Sequence, residues 1–440
     1  MGFGLAVNIS PESIQENGVV GAGGAGFPAH VKMRARAELL ILNAAECEPL
    51  LHKDKELLEH FGDEVIRGMQ AAREMVGARK CLIGIKNKYE GVISRLEKIL
   101  PADFQIVPLA DVYPAGDEFI LVYDATGRMI PPGGLPLDVG CVVNNVETML
   151  NIARNRPVTR KYLTITGAVK DPCTLCVPVG ISVREVIDAA GGPAIADWVV
   201  LLNGIMMGRL APDASVPVTK TTGGIYIFPA DHPHIRRYQR SLTQINRIGR
   251  SACDQCSFCT EMCPRYLLGH PIEPHKAMRA LGFTMDKAAL IVGTTYCCEC
   301  NLCTMIACPE DLDPMNVCAQ DKQLVKQMGL KWERGGREIK ARPLYPARRT
   351  PTKRLMNRLG LRQFENNRGA LREGVLAASR VRLPLKQHVG APCAPVVAPG
   401  QRVREGDVIA RPPDGQLGAV IHASISGRIA SVGDAIEITA

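Results

Sequence analysis

The chain has 440 residues, of which 46% are hydrophobic, 22% charged and 5% aromatic. This length predicts three or four modules, and the mixture of residue types is that of a globular protein. The scarcity of aromatic residues argues against a base-stacking surface for nucleic acid. Because no uncharged run approaches the roughly 18 to 20 apolar residues of a membrane-spanning helix, and no signal-peptide pattern begins the chain, we expect a cytoplasmic protein without a membrane span.

The net charge of +9 is concentrated in one segment. Residues 320–382 hold 17 Lys and Arg but only 5 Asp and Glu. Such a charge run is usually a solvated face, and it could also dock an acidic protein. No nucleic-acid-binding motif accompanies it, so we predict a basic linker over 329–382 and no nucleic acid among the partners.

The first 158 residues predict an α/β domain. Short β-rich runs at 39–43, 81–86 and 104–109 alternate with helical stretches such as 54–76. This alternation is typical of a sheet covered by helices, and we expect it to be Rossmann-like.

Three modules of other types follow. In 159–232, short strand patterns surround one helix, at whose start Ser182 and Glu185 have the spacing of a capping box, which predicts a small β-grasp domain. Residues 240–328 carry clustered cysteines between short helices. Residues 383–440 alternate short strand patterns with Gly-rich turns, which predicts a flattened β-barrel or sandwich.

Eight of the sixteen cysteines fall in two runs, each ending in Cys-Pro. The runs are Cys253-x2-Cys256-x2-Cys259-x3-Cys263 and Cys297-x2-Cys300-x2-Cys303-x4-Cys308. The first spacing is that of bacterial ferredoxins, in which three closely spaced thiolates hold one 4Fe-4S cluster and the fourth reaches the other cluster. The second run has one extra residue before its last cysteine, so the turn there must differ.

We therefore predict two 4Fe-4S clusters in a helical ferredoxin-type module. The crossed pattern assigns Cys253, Cys256, Cys259 and Cys308 to one cluster, and Cys297, Cys300, Cys303 and Cys263 to the other. A pair of structural zinc sites is the alternative, but zinc ribbons rarely use this register. Cys298 is out of register, and we expect it to be a bystander.

A glycine-rich loop, GAGGAGFP at 21–28, is the candidate cofactor site. Backbone amides without Cβ atoms nearby can close around a phosphate or a flat ring. The pattern alone is weak, since it often marks only a tight turn, and no strand precedes it as the dinucleotide fingerprint requires.

Three further segments follow this loop in order: LNAAECEP at 42–49, YPAGDE at 113–118 and VNNVET at 143–148. Together the four segments resemble the FMN site of the NADH-binding flavoprotein subunit of respiratory complex I and of the RnfC electron-transfer subunits. The resemblance extends through an SLBB-like β-grasp module and the paired ferredoxin runs. The C-terminal barrel-sandwich hybrid lies where the PduS-type cobalamin reductases of metabolosomes have theirs.

The resemblance implies an FMN surrounded by Gly21, Gly23, Lys32, Asn43, Tyr113, Gly116, Asn144, Asn145 and Thr148. It places Phe27 on the nicotinamide side, together with Glu48 and Glu118, which it implies as catalytic residues. The position that resembles a flavin-contacting Asp is Ala45 in this chain, which offers the ring no side-chain hydrogen bond.

The function that the resemblance implies is NADH-dependent reduction of cob(III)alamin towards cob(I)alamin. NADH delivers two electrons, FMN accepts both and releases them singly, and clusters carry single electrons onward. The implied partners are a corrinoid adenosyltransferase and shell or core proteins of a bacterial microcompartment, in which the protein would reside. No Asp-x-His-x-x-Gly cobalamin motif is present, so the acceptor rests on the resemblance only.

Two other functions stay open. An RnfC-like electron-input subunit of a membrane ion pump would share the flavin and the clusters, although its barrel module would be expected at the N-terminus. A non-enzymatic iron-sulfur electron wire would hold the clusters but no FMN.

Overall fold

The computed structural model describes residues 9–283, 287–333, 338–365 and 369–440. It is the predicted α/β multidomain protein, with a flavin module, a β-grasp module, a helical cluster module and a barrel-sandwich hybrid. The parts of the predicted domains at 1–8, 284–286, 334–337 and 366–368 lie outside the described residues. No helix of the described chain is long and apolar enough to cross a membrane.

The flavin module is a parallel sheet between helices. Its helices are α1 Pro11–Glu16, α2 Ala29–Met33, α3 Lys53–Val76, α4 Glu90–Glu97, α5 Glu118–Thr126 and α6 Val146–Arg154. Its strands are β1 Leu39–Ala44, β2 Lys80–Lys86, β3 Phe104–Leu109, β4 Val112–Tyr113 and β5 Cys141–Asn145. The main sheet has the order β3-β2-β1-β5, and the predicted strands and long helix are confirmed.

Alternation along β1 explains why helices cover both faces of this sheet. Leu40 and Leu42 pack in the core that contains α3 and α6, whereas Leu39 and Ile41 pack in the core that contains α5. Successive strand residues point to opposite faces, so an apolar run buries both of them. Because β1 and β5 are parallel neighbours, their carboxyl ends lie at the same edge of the sheet. Parallel sheets bind ligands at this edge.

The second module is a β-grasp fold built on an antiparallel hairpin. Its elements are β6 Arg160–Gly167, β7 Cys173–Pro178, α7 Val183–Ala189, β8 Trp198–Leu202, β9 Arg209–Leu210 and β10 Gly224–Pro229. The predicted capping box is confirmed, because the Ser182 hydroxyl accepts from the Glu185 amide while the Glu185 carboxylate accepts from the Ser182 amide.

The cluster module consists of short helices. They are α8 Pro233–Tyr238, α9 Leu242–Ala252, α10 Phe258–Glu261, α11 Pro264–Leu267, α12 Pro274–Ala280, α13 Ala288–Ile291, a 3-10 turn Val292–Tyr296, a π-helical turn Cys303–Ala307 and α14 Pro314–Gln327. The π-helical turn absorbs the extra residue of the second cysteine run, since the Cys308 amide bonds to the Cys303 carbonyl five residues back at 3.1 Å.

Parts of the basic segment, for which we predicted a linker, form short helices and strands. These are β11 Thr350–Pro351, α15 Thr352–Arg358, a 3-10 turn Arg362–Phe364 and β12 Leu371–Val375. Strand β11 pairs with β4, and β12 extends the β-grasp sheet beside β7. Arg348 and Arg349 pair with Glu261 and Asp124 at 2.5 Å each. Acidic side chains of the cluster and flavin modules thus hold this segment against the rest of the protein. The number of charges along the segment could not predict these partners.

The C-terminal module is a barrel-sandwich of two small sheets. Its strands are β13 Arg380–Pro384, β14 Ala394–Pro395, β15 Arg402–Val403, β16 Val408–Arg411, β17 Ile421–His422, β18 Gly427–Val432 and β19 Ala435–Thr439. The sheet orders are β13-β19-β18-β15 and β14-β16-β17. Inward residues such as Val381, Ile409 and Ile436 form its own core, and β-grasp residue Val179 joins it.

Candidate flavin and iron-sulfur site

The glycine loop lies at the carboxyl edge of the parallel sheet, between α1 and α2. The Gly21 amide bonds to the Phe27 carbonyl at 2.9 Å, which closes the loop. Thr148 supports it from behind, because its fully buried hydroxyl accepts from the Ala22 amide at 3.0 Å. A Cβ at Gly23 would lie 2.8 Å from the Asn145 side-chain nitrogen, so a side chain there would displace Asn145.

Most residues of the predicted FMN site meet around one cavity of about 520 Å³. This volume is in the range of roughly 300 to 1,000 Å³ that small-molecule sites occupy. The predicted residues that line it are Gly21, Gly23, Phe27, Lys32, Asn43, Gly116, Glu118, Asn144 and Asn145. We call this space the flavin cavity.

Lys32 supplies a fixed positive charge at the flavin cavity. Its Nζ donates to the Val143 carbonyl at 2.8 Å and lies 3.3 Å from the Glu118 carboxylate. Glu118 is the first residue of α5, which Asp117 caps by accepting from the Phe119 and Ile120 amides. The ion pair places one cation and one carboxylate side by side in the wall.

Three asparagines line the same cavity with different partners. Asn43 donates to the Gly116 carbonyl at 2.8 Å, and Asn145 donates to Asp54 at 2.6 Å while it caps α6. Asn144 is buried, and its Nδ2 has no hydrogen-bond partner among the described residues. Such an orphaned donor in the wall fits a polar ligand that would accept its hydrogen bond.

Two other predicted site residues, besides the supporting Thr148, do not line the flavin cavity. The Tyr113 side chain is buried, and its hydroxyl donates to the Cys300 carbonyl at 2.9 Å. Glu48 accepts from the backbone amides of Ile205, Met206 and Met207 at 2.8, 2.9 and 3.0 Å. Tyr113 therefore joins the flavin module to the cluster module, and Glu48 joins it to the β-grasp module.

Glu48 lines a second cavity of about 390 Å³, which we call the relay cavity. It shares Gly23, Asn43, Gly116 and Asn145 with the flavin cavity, and its far wall contains Cys298 and Cys300. Burial raises the pKa of Glu48 from 4.5 to about 7 and outweighs the amide hydrogen bonds, which alone would lower it.

Sequence reasoning missed a buried charge network in the relay cavity. Lys53 pairs with Asp54 and with Glu147, the latter at 3.3 Å, and Glu46 accepts from the Asp54 amide at 2.9 Å. Burial and the nearby Asp54 charge raise the pKa of Glu46 to about 8. The sequence signal for this network was Glu46, the first of the two carboxylates in LNAAECEP, which lies shortly before the charged start of α3.

The cysteines that the crossed pattern predicts for the first cluster lie around one small cavity. Cys253, Cys256 and Cys259 line a small cavity together with Cys308 from the second run. Four thiols on one cavity are the donor set of a 4Fe-4S cluster.

The second set of cysteines is also brought together. Burial raises the pKa of Cys303, and the neighbouring Cys297 and Cys263 thiols raise it further. The pKa of Cys300 rises because of a hydrogen bond with Cys298 and because of burial. Cys298 is thus out of register but lies beside the ligand set, and its side chain faces the relay cavity.

Four family descriptions match the chain. They are the Nuo51 FMN-binding domain at 14–154, the SLBB domain at 162–210, the 4Fe-4S dicluster domain at 252–313 and the RnfC barrel sandwich hybrid domain at 369–439. The predicted FMN and 4Fe-4S cofactors are therefore confirmed at the level of these domains.

Full-length relatives decide the family. The chain is 42% identical to cobalamin reductase PduS of Salmonella typhimurium, with 98% of this chain and 97% of that protein covered. The chain belongs to the PduS family. A second PduS, from Citrobacter freundii, is 40% identical over 96% of this chain and 94% of its own length. The predicted family and the prediction of an oxidoreductase enzyme are confirmed.

A more distant similarity is partial. It is to one component of the Na⁺-translocating ferredoxin:NAD⁺ oxidoreductase complex of Acetobacterium woodii, which is 34% identical over 57% of this chain and 56% of its own length. This similarity covers little more than half of each chain, unlike that to the PduS proteins.

Proposed function

We propose that this protein is an NADH-dependent reductase that converts cob(III)alamin towards cob(I)alamin through FMN and two 4Fe-4S clusters. The full-length similarity to two proteins named cobalamin reductase supports the acceptor. The FMN-binding and dicluster domains support the internal carriers.

The observation that carries the proposal is the contact between the two cofactor sites. The flavin cavity shares wall residues with the relay cavity, and Cys300 of the second cysteine run lines the relay cavity. A flavin supplies the conversion between two-electron and one-electron transfer when it is bound. In this proposal the conversion takes place next to a one-electron carrier, which a simple NADH oxidase would not need.

The residues have distinct roles in this proposal. Lys32, Asn43, Asn144 and Asn145 hold and orient the flavin, and the glycine loop lets its backbone approach closely. The lysine charge also favours an anionic group at the cavity wall.

Phe27 and Glu118 lie on the nicotinamide side of the flavin cavity in this proposal. Glu48 is a positioning residue here, since its carboxylate is used to hold the 205–207 backbone beside the relay cavity. This role replaces the catalytic one that the sequence suggested.

We place the reaction inside a bacterial microcompartment, where a corrinoid adenosyltransferase takes the reduced product. The support is the resemblance described above and the chemistry, because cob(I)alamin is a reactive species that a neighbouring enzyme should consume at once. Co-purification with shell or core proteins and with the adenosyltransferase tests this placement.

An anaerobic assay with the purified holoprotein tests the function. NADH should reduce hydroxocobalamin, and Glu118→Ala should raise the KM for NADH while it leaves the FMN content near one per chain. A wild-type protein that holds FMN and clusters and reduces dyes, but never cobalamin with or without its adenosyltransferase, would favour the ion-pump alternative. The partial similarity to the component of the Na⁺-translocating complex is the observation behind that alternative.

A further inference from the structure

A third opening lies between the β-grasp and barrel-sandwich modules. It is a cavity of about 450 Å³, lined by Arg209, Lys386 and the hydroxyl-bearing Thr219 and Thr221. No Asp or Glu is among the described residues of its wall. We call this opening the basic mouth.

Arg209 and Lys386 differ from two arginines of the barrel-sandwich module that have carboxylate partners. Arg382 lies 2.8 Å from Asp434, and Arg411 lies 2.9 Å from Glu16. Arg209 and Lys386 are both exposed on a wall that holds no carboxylate among its described residues. Two uncompensated positive charges around a concave opening attract an anion.

The backbone that carries Arg209 is held firmly. The arginine begins β9 and pairs with Leu202 of β8 across a hairpin. Glu48 accepts the amides of 205–207 in this hairpin, and a Cβ at Gly208 would lie 1.9 Å from the Gly204 carbonyl oxygen. The hairpin is therefore tight and has little freedom to move.

The other wall is also anchored. Gln387, next to Lys386, accepts from the Lys220 amide at 3.2 Å through its side chain. Its carbonyl accepts from the Thr221 hydroxyl at 3.3 Å. Hydrogen bonds between the two modules thus hold the backbone beside Lys386.

The basic mouth opens towards the flavin side of the molecule. It shares Asn203, Met207 and Thr221 with the relay cavity. The Val389 amide bonds to the Ala25 carbonyl of the glycine loop at 2.9 Å. A molecule seated in the mouth could therefore extend a second part towards the relay cavity.

We propose that the basic mouth binds the phosphate ester of a substrate whose reactive part reaches the flavin or relay cavity. Arg209 binds phosphate oxygens through its fork of N–H donors, and Lys386 adds a point charge. Two substrates of the proposed function carry such a group: NADH in its pyrophosphate and cobalamin in the phosphodiester of its nucleotide tail. Only the identity of these substrates rests on the proposed function.

The test uses full-length holoprotein and the variants Arg209→Gln, Lys386→Gln and their double. Binding of cobalamin and of cobinamide, which lacks the nucleotide tail, is measured by anaerobic ultrafiltration, so no turnover is required. The KM for NADH is measured with ferricyanide as the acceptor. Arg402→Gln, an exposed change on β15 of the barrel-sandwich, is the matched control.

A corrinoid ligand predicts that the double variant binds cobalamin roughly tenfold more weakly or worse, as expected for lost charged hydrogen bonds, while cobinamide binding stays unchanged. A dinucleotide ligand predicts a similar rise in the KM for NADH instead. In either case the affected affinity of the wild type should fall with added salt more steeply than that of the double variant. If both affinities of the double variant match those of Arg402→Gln, the proposal is overturned, whether or not the wild type reduces cobalamin.

Discussion

The two cysteine runs have almost the same sequence pattern but different surroundings. Cys253 and Cys256 of the first run are partly exposed, and their cavity adjoins a small core of the cluster module. Cys300 of the second run is buried in the large core that it shares with the β-grasp module, and its carbonyl accepts the Tyr113 hydroxyl. We therefore distinguish an outer cluster site from an inner one beside the relay cavity.

Both runs nevertheless end in the same backbone geometry. The φ and ψ angles are −70° and 120° at Cys263 and −74° and 118° at Cys308. The first run ends with α10, whereas the second passes through the π-helical turn. The added residue thus changes the turn, while the backbone angles at the last cysteine stay the same.

The largest expected effect is the loss of one cluster at a time, which distinguishes the outer site from the inner site. Cys256→Ala should remove the outer cluster and Cys300→Ala the inner one, each lowering the iron content from about eight to about four per chain. Cys256→Ala should keep electron transfer from NADH to the inner site, while Cys300→Ala should abolish it. Iron and acid-labile sulfide analysis with EPR after NADH reduction measures this.

Cys298→Ala is the control for this pair, since Cys298 is out of register, and both clusters should remain. Equal iron loss from Cys256→Ala and Cys298→Ala would contradict the ligand assignment.

The next effect tests whether the inner cluster depends on the flavin. Gly23→Val should abolish FMN loading, because its Cβ would lie 2.8 Å from the Asn145 nitrogen. The cluster absorption should stay near the wild-type level. Cofactor release followed by chromatography measures the flavin.

Gly91→Val is a matched control for this change, because an added Cβ there meets no described atom within 4 Å. Full flavin retention in Gly23→Val would mean that the glycine loop is only a turn.

A smaller effect concerns Tyr113, which the resemblance assigned to the flavin and the structure bonds to Cys300. Tyr113→Phe should leave the FMN affinity unchanged and destabilise the inner site by about 1 to 3 kcal/mol, because the buried Cys300 carbonyl loses its hydrogen-bond donor. Thermal unfolding followed at the cluster absorption detects this loss. A weakened FMN affinity with an unchanged midpoint would restore the original assignment.

The smallest effect is a pH dependence at Glu48, beside the inner site. Because its pKa rises from 4.5 to about 7 on folding, the folded protein binds this proton more tightly than the unfolded chain does. Stability should therefore fall as the pH rises from about 4.5 to about 7. Glu48→Gln cannot ionise, so its thermal midpoint should change less over that window, and parallel profiles would refute this contribution.

The sequence by itself determined the parts of this protein that are local. Cysteine spacing gave two ligand sets, period and capping gave the strands, α3 and α7, and four short segments gave the flavin edge. Each run, strand, helix and segment is recognised from residues within a few positions of one another, where backbone geometry limits the choices.

Only the tertiary structure decided how these parts meet. It binds the basic segment to the flavin and cluster modules through Asp124 and Glu261. These two residues lie more than 80 positions away in sequence from the arginines that they pair with. It also gave Tyr113, expected beside the flavin, and Glu48, expected on the nicotinamide side, hydrogen-bond partners in other modules. Contacts between distant segments depend on how modules pack, and no local pattern encodes which carboxylate or carbonyl a side chain will find.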